Sequence, residues 1–162
     1  MEKLKNKITI LMVALTLTLV GCHNRPYYVD SCRVNEQGWN FADPCCFDVE
    51  ITDTMVPYQF FVDLRTSTEF SYSNMLLYVH TTFPDGSISV DTLSLPVTAP
   101  DGRWYGRRSG RYYDNRYHFR DAQPVVCFPQ AGNYRFVVTH AMRDTLLVGI
   151  RDVGIRLDPI EK

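Results

Sequence analysis

The chain has no sustained helical period, no internal repeat, no low-complexity tract and no apolar run long enough to cross a bilayer. These absences exclude a helical domain, a solenoid and a membrane-spanning bundle. A Gly-x-Ser-x-Gly elbow, a His-Glu-x-x-His pair and a glycine-rich phosphate loop are also missing, which removes the usual signatures of hydrolases, zinc peptidases and nucleotide binders. Without paired Cys-x-x-Cys units there is no zinc-type ligand pattern. No cofactor and no metal are expected, and the chain is not read as an enzyme.

Strong charge of either sign is absent too: 17 Lys+Arg stand against 18 Asp+Glu. Such balance argues against general nucleic-acid binding. At the N-terminus, Lys3, Lys5 and Lys7 precede an apolar run from Ile8 to Val20 broken only by threonines. A basic head, a short apolar run and small residues form a secretory signal. Leu19-Val20-Gly21 leads directly into Cys22, which resembles the bacterial lipobox, in which the cysteine is acylated and becomes the new N-terminus. The plainer alternative is a cleaved signal with an incidental cysteine. Lipidation at Cys22 is the expectation, and it places the protein outside the cytoplasm. Removal of residues 1–21 takes away three lysines and one glutamate and leaves a net charge of −3.

With Cys22 assigned to lipid, Cys32, Cys45, Cys46 and Cys127 remain. An even number in an exported chain points to disulfides. Neighbours in an extended segment face opposite ways, so one arrangement sends one of Cys45 and Cys46 to Cys32 and the other to Cys127. Free buried thiols are the alternative; Val125-Val126-Cys127-Phe128 reads as a buried strand.

Residues 22–43 are polar and irregular and read as a lipid-anchored tether that becomes ordered near Trp39 and Phe41. A β-sandwich domain is expected over 44–162. Phe47–Ile51 alternates apolar and acidic residues, and Tyr58–Arg65, Met75–Thr81, Ile88–Leu95, Tyr117–Phe119, Tyr134–His140 and Gly154–Asp158 are further strands. Pro84-Asp85-Gly86-Ser87 and Pro100-Asp101-Gly102 are turn sequences, since aspartate bonds locally and glycine supplies positive φ. Gly149 and its β-branched neighbours favour a bend after Ala141–Leu147. Short strands separated by Gly/Pro turns predict an antiparallel sandwich of jelly-roll type.

Arg103–Arg120 interleaves six arginines with Trp104, Tyr105, Tyr112, Tyr113 and Tyr117. Guanidinium and aromatic groups together suit a protein or glycan partner. Trp104, Tyr105, Arg107, Arg108, Tyr112 and Tyr113 are the candidate contacts, against the plainer reading of a solvated loop. A hydrolytic reading would need Asp85 with Asp91 or Asp101, or Cys127 with His140, to converge. His80, His118 and His140 otherwise read as packed residues.

Several ordered motifs carry a family resemblance. They are Arg65-Thr66-Ser67-Thr68 with Phe70-Ser71-Tyr72-Ser73-Asn74-Met75, Asp85-Gly86, Asp91-Thr92-Leu93 and Gly102-Arg103-Trp104-Tyr105-Gly106. Phe128-Pro129, Gly132, Tyr134, His140-Ala141-Met142-Arg143, Leu146, Gly149-Ile150 and Asp152-Val153-Gly154-Ile155 complete the series. Over roughly 39–158 the chain resembles the gliding motility-associated lipoproteins called GldH, found in Bacteroidetes. Met75 stands where the family pattern has leucine. The resemblance implies a lipid-anchored envelope component associated with gliding and type IX secretion, with no catalytic residues to transfer. It also implies an outer-membrane anchor facing the periplasm, because no acidic residue follows Cys22 before Asp30. The first functional expectation is an assembly factor that contacts envelope proteins. The second is a glycan-binding lipoprotein of a nutrient-uptake system.

Overall fold

The structure, a computed structural model, describes residues 25–120 and 122–160. The signal segment 1–21 and Cys22 lie outside the described residues. Among the described residues the fold is all-β, with every pairing antiparallel.

Alternation sets the strands. In β3 (Cys45–Ile51), Cys45, Phe47, Val49 and Ile51 are buried while the residues between them are exposed. The same period of two governs β4 (Tyr58–Ser67), β5 (Asn74–Thr82), β6 (Ile88–Pro96) and β10 (Gly132–His140). The chain closes with β12 (Ile150–Pro159), which carries a register shift between Ile150 and Asp152. The two predicted turns form: Gly86 and Gly102 take positive φ, and Asp85 and Asp101 accept bonds from the backbone N–H groups of Ser87 and Arg103.

Three readings are corrected. Residues 28–40, expected within the tether, contain β1 (Tyr28–Arg33), paired along β12, and β2 (Trp39–Asn40), paired with β11 (Leu146–Leu147). The Arg103–Arg120 segment is not a loop: β7 (Arg107–Ser109) and β8 (Tyr112–His118) form a hairpin, and β8 pairs along β4. The expected buried strand at 125–128 shrinks to β9 (Val125–Val126), beside the start of β4, and Cys127 is exposed.

One sheet runs β1-β12-β4-β8-β7, with β9 also on β4, a second runs β3-β10-β5-β6, and β2 with β11 forms a two-stranded third. Their inward side chains merge in one core. Phe60 of β4 meets Phe136 of β10 edge-on at 5.1 Å, and Tyr58 and Tyr134 both pack on Phe128. A disulfide joins Cys32 of β1 to Cys45 of β3, tying the two sheets along one side. Cys46 and Cys127 are free and exposed, so they are neither bonded to each other nor buried.

Candidate functional site

Strand directions give the molecule two poles. At the root pole the chain enters: Tyr27 donates its backbone N–H to Leu157 O at 2.8 Å and its hydroxyl to Glu50 O at 2.8 Å. The ends of β3 and β12, the start of β4 and the β5–β6 turn share this pole. The crown pole lies a strand length away, ~30 Å for a strand such as β4. It carries the β4–β5 connection, the β7–β8 turn and the segment after β10.

The crown brings together motifs far apart in sequence. Tyr72, Ser73, Asn74 and Leu76 line one side of a cleft of about 310 Å³, and Ala141, Met142 and Arg143 line the other. Ala141 N–H donates to Leu76 O at 2.8 Å, and Tyr72 donates its hydroxyl to Asp144 at 2.8 Å. Gly149 fixes this arrangement. Its φ is +89°, its carbonyl accepts the Ser67 N–H at 2.8 Å, and a Cβ there would overlap the backbone of Phe70. Arg143 is exposed and makes no ion pair among the described residues. The two blocks lie far apart in the chain, and the pairing of β5 with β10 brings them together.

The six arginine-aromatic candidates divide. Trp104 and Tyr113 stack on each other at 5.2 Å, and Trp104 packs against the core, so this pair serves packing. Tyr105 is exposed at the crown. Arg108 bonds Gly110 O, and Tyr112 accepts a bond from Arg111, whose guanidinium lies over its ring. Arg107 turns to a different surface.

That surface is the outer face of the six-stranded sheet. Register aligns Arg33, Asp152, Arg65, Asp114 and Arg107 in one row across β1, β12, β4, β8 and β7. Arg65 bonds Asp114 at 2.6 Å and Asp152 at 3.4 Å, and Arg33 bonds Asp152 at 3.2 Å. The bond to Asp114 is the main cause that holds the Arg65 guanidinium above its ordinary pKa. The next row holds Ser31, Gly154, Asp63 and Arg116, the last two joined by two parallel bonds of 2.7 and 2.9 Å. An open groove of about 660 Å³ follows these rows, floored at Gly154.

The hydrolytic candidates do not converge. Asp85 is held low in pKa by Ser87 in its own turn, Asp101 is held low by Arg103, and Asp91 is paired with Arg120 at 2.9 Å. None of the three lines the groove or the cleft. Phe128, next to Cys127, packs on Tyr134, whereas His140 ends β10 at the crown, a strand separation of ~20 Å. His140 is buried with Nε2 3.1 Å from Trp39 O, and burial lowers its pKa. His80 is half-buried on the outer face of the four-stranded sheet, and His118 packs on Phe61 at 4.6 Å. No cluster able to hold a metal occurs among the described residues.

Comparison with known proteins gives a consistent result. The family described as GldH lipoprotein matches residues 27–157. A "Gliding motility lipoprotein GldH homolog" of Christiangramia forsetii is 25% identical over 163 residues, covering 96% of this chain and 98% of the relative. A "Gliding motility lipoprotein GldH" of Flavobacterium johnsoniae is 26% identical over 163 residues, with the same 96% and 98% coverage. Among solved structures, the insecticidal delta-endotoxin Cry8Ea1 of Bacillus thuringiensis aligns at a TM-score of 0.37 and 16% identity, over 74% of this chain and 20% of the toxin. A likeness that low carries no argument.

Proposed function

The chain belongs to the GldH lipoprotein family, and from that premise we propose a non-enzymatic, lipid-anchored component of the gliding and type IX secretion machinery, acting through protein–protein contacts. The supporting observation is the separation of the poles. The chain enters at the root, while Tyr105, Arg108, Arg111 and the Tyr72–Arg143 cleft lie at the crown.

In this reading residues 1–21 are removed, Cys22 carries the lipid, and the anchor sits in the outer membrane on its periplasmic side. From Cys22 to Tyr27 an extended chain reaches at most ~18 Å. The root therefore stays near the bilayer and the crown faces away from it, toward envelope proteins. Tyr105, Arg108, Tyr112 and Arg143 are the contacts. The scaffold is read as a jelly roll: β1 lies beside β12 in one sheet, and β3 lies beside β10 in the facing one.

Affinity capture of the tagged, lipidated protein from crosslinked envelopes tests this reading. Enrichment of gliding or type IX secretion components is expected. It should be lost on Tyr105→Ala, Arg108→Ala, Tyr112→Ala and Arg143→Ala combined, with the melting midpoint unchanged. Enrichment of glycan importers instead would favour a nutrient-uptake role. Capture that survives the combined change would remove the crown from the proposal.

A further inference from the structure

Strand edges present unpaired N–H and C=O groups that can template another strand, and folded proteins blunt them. Most edges here are blunted. On β1 the Val34 N–H donates to Arg151 O, which sets the phase of the ladder to β12 and turns the Ser31 N–H outward. Asp30 Oδ1 accepts that N–H at 2.8 Å. On β3 the Tyr27 hydroxyl donates to Glu50 O at 2.8 Å and accepts the Thr52 N–H at 3.3 Å. The β7 edge is only three residues long. The β6 edge is the exception. The Val97 N–H donates to Ser73 O at 2.8 Å, continuing the β5–β6 ladder and setting its phase. Odd-numbered residues of β6 therefore bond β5, and Ile88, Val90, Thr92 and Ser94 turn their backbone groups outward. Among the described residues nothing bonds those outward groups. Pro96 has no N–H to offer in the same phase, and its carbonyl accepts the Tyr117 hydroxyl at 2.6 Å, which closes the open stretch.

A row of alternating donors and acceptors along a strand matches another extended backbone and not a compact ligand. Ile88 and Val90 stand largely exposed on the outer face near Tyr78, so an added strand sets aliphatic side chains against them. Its opposite side chains lie beside Ser89 and Asp91, the latter already paired with Arg120, which suits small polar residues. The chain cannot supply this strand itself: after removal of residues 1–21, only 22–24, 121, 161 and 162 fall outside the described residues. A second copy is excluded by the Cys22 anchor of the proposed function, on which this choice of partner rests. Two β6 strands related by a two-fold axis run antiparallel. Since β6 runs from the root to the crown, each root then lies beside the other's crown, ~30 Å away along the strands. A tether of at most ~18 Å cannot bring both anchors to one bilayer surface. We propose that the outward edge of β6, from Ile88 to Ser94, accepts an extended strand of another envelope protein, one that alternates aliphatic with small polar residues.

The test is titration of the intact, isotope-labelled protein in neutral detergent with a capped Lys-Thr-Val-Thr-Val-Thr-Lys peptide, with amide exchange read by NMR. Exchange of the Val90 and Thr92 N–H groups should slow at least tenfold at saturation, while that of Ser31 and Arg33 on β1 stays unchanged. The same peptide N-methylated throughout should not bind. Val90→Pro removes one outward N–H and leaves the bonds to β5 whole, so binding should weaken at least tenfold at an unchanged melting midpoint. Val90→Lys keeps every backbone group and sets a charge beside the added strand; it should weaken binding by a smaller factor, and it carries the test if the proline variant melts early. No slowing at Val90 and Thr92, equal binding of the methylated peptide, or indifference to both substitutions would each overturn the proposal. A discrete dimer of the lipidated protein at micromolar concentration, dissolved by Val90→Pro, would overturn it in favour of a second copy. The combined change at Tyr105, Arg108, Tyr112 and Arg143 should leave peptide binding intact, so the crown reading and the β6 reading fail separately.

Discussion

The two outer faces of this protein obey the same alternation and use it in opposite ways. On the six-stranded sheet the outward positions form the row Arg33–Asp152–Arg65–Asp114–Arg107, charge against charge on adjacent strands. On the four-stranded sheet the matching direction gives Cys46, Val137, His80 and Val90, with Tyr78 and Ile88 close by. Tyr78 is 43%, Ile88 66% and Val90 55% exposed. A solvent-facing strand position thus takes its character from its cross-strand neighbours more than from its own propensity. The charged face is organised by a continuous row of pairs across strands. The other face has an Arg135–Asp48 ion pair at 3.6 Å and an Asn74–Ser94 bond. Around Tyr78, Ile88 and Val90 its strands are joined by backbone pairing, with no side-chain hydrogen bond or ion pair among the described residues. That difference can be broken at several strengths.

The largest effect comes from the bond that joins the faces. Cys32 lies on the strand that carries Arg33, and Cys45 lies on the edge strand of the other sheet. Opening a disulfide with this sequence separation removes about 3 kcal/mol of stability. Chemical denaturation with and without reductant should show that loss, and amide exchange should place the loosening in Tyr28–Arg33. Gly154→Val comes next. Its branched side chain must displace the Asp30 carbonyl, so β1 should part from β12 at a cost of about 2 kcal/mol. Thermal melts would read the cost, and faster exchange confined to β1 would distinguish it from a general loss of packing.

Interior chemistry separates from both faces by pH. Burial lowers the His140 pKa, so the unfolded chain takes up its proton first as pH falls below ~6.5. Stability is full above that value and declines as pH drops toward the lower folded pKa, by at most ~1.4 kcal/mol per unit for one group. His140→Gln should flatten this part of the pH profile. A denaturation midpoint independent of His140 across that window would show that its burial is not thermodynamically coupled to folding. Arg65→Met probes the charged face itself. It deletes bonds to Asp114 and Asp152, and exposure of the guanidinium limits the loss to about 1 kcal/mol.

How much of this was legible in the sequence follows from the range of each signal. Phe47–Ile51, Tyr58–Arg65, Met75–Thr81 and Tyr134–His140 alternate strongly because one side of each lies on the core, and the structure contains all four strands. The strand Tyr28–Arg33 gave no such signal. It lies at a sheet edge with most of its residues exposed, and its pairing partner is more than a hundred residues away. The arginine-rich stretch was visible as composition, but its division was not. Whether Trp104 packs on Tyr113 or faces solvent depends on the turn of a hairpin, and whether Arg107 joins the groove depends on register with Asp114. The Tyr72–Arg143 cleft was hidden for the same reason, since only pairing of β5 with β10 closes it.

The smallest expected effect is the most direct test of the opening contrast. If the apolar face contributes nothing to the fold beyond backbone pairing, Ile88→Thr with Val90→Thr should shift stability by less than ~0.5 kcal/mol, because both residues are already largely exposed. Threonine keeps the β-branch that suits a strand, so local propensity is preserved while apolar area is removed. Exposed apolar patches promote association, so the same change should lower self-association in sedimentation at high concentration. A stability loss comparable to that of Arg65→Met would mean that Tyr78, Ile88 and Val90 support one another across β5 and β6 as firmly as the charged row does. The two faces would then differ in chemistry and not in strength.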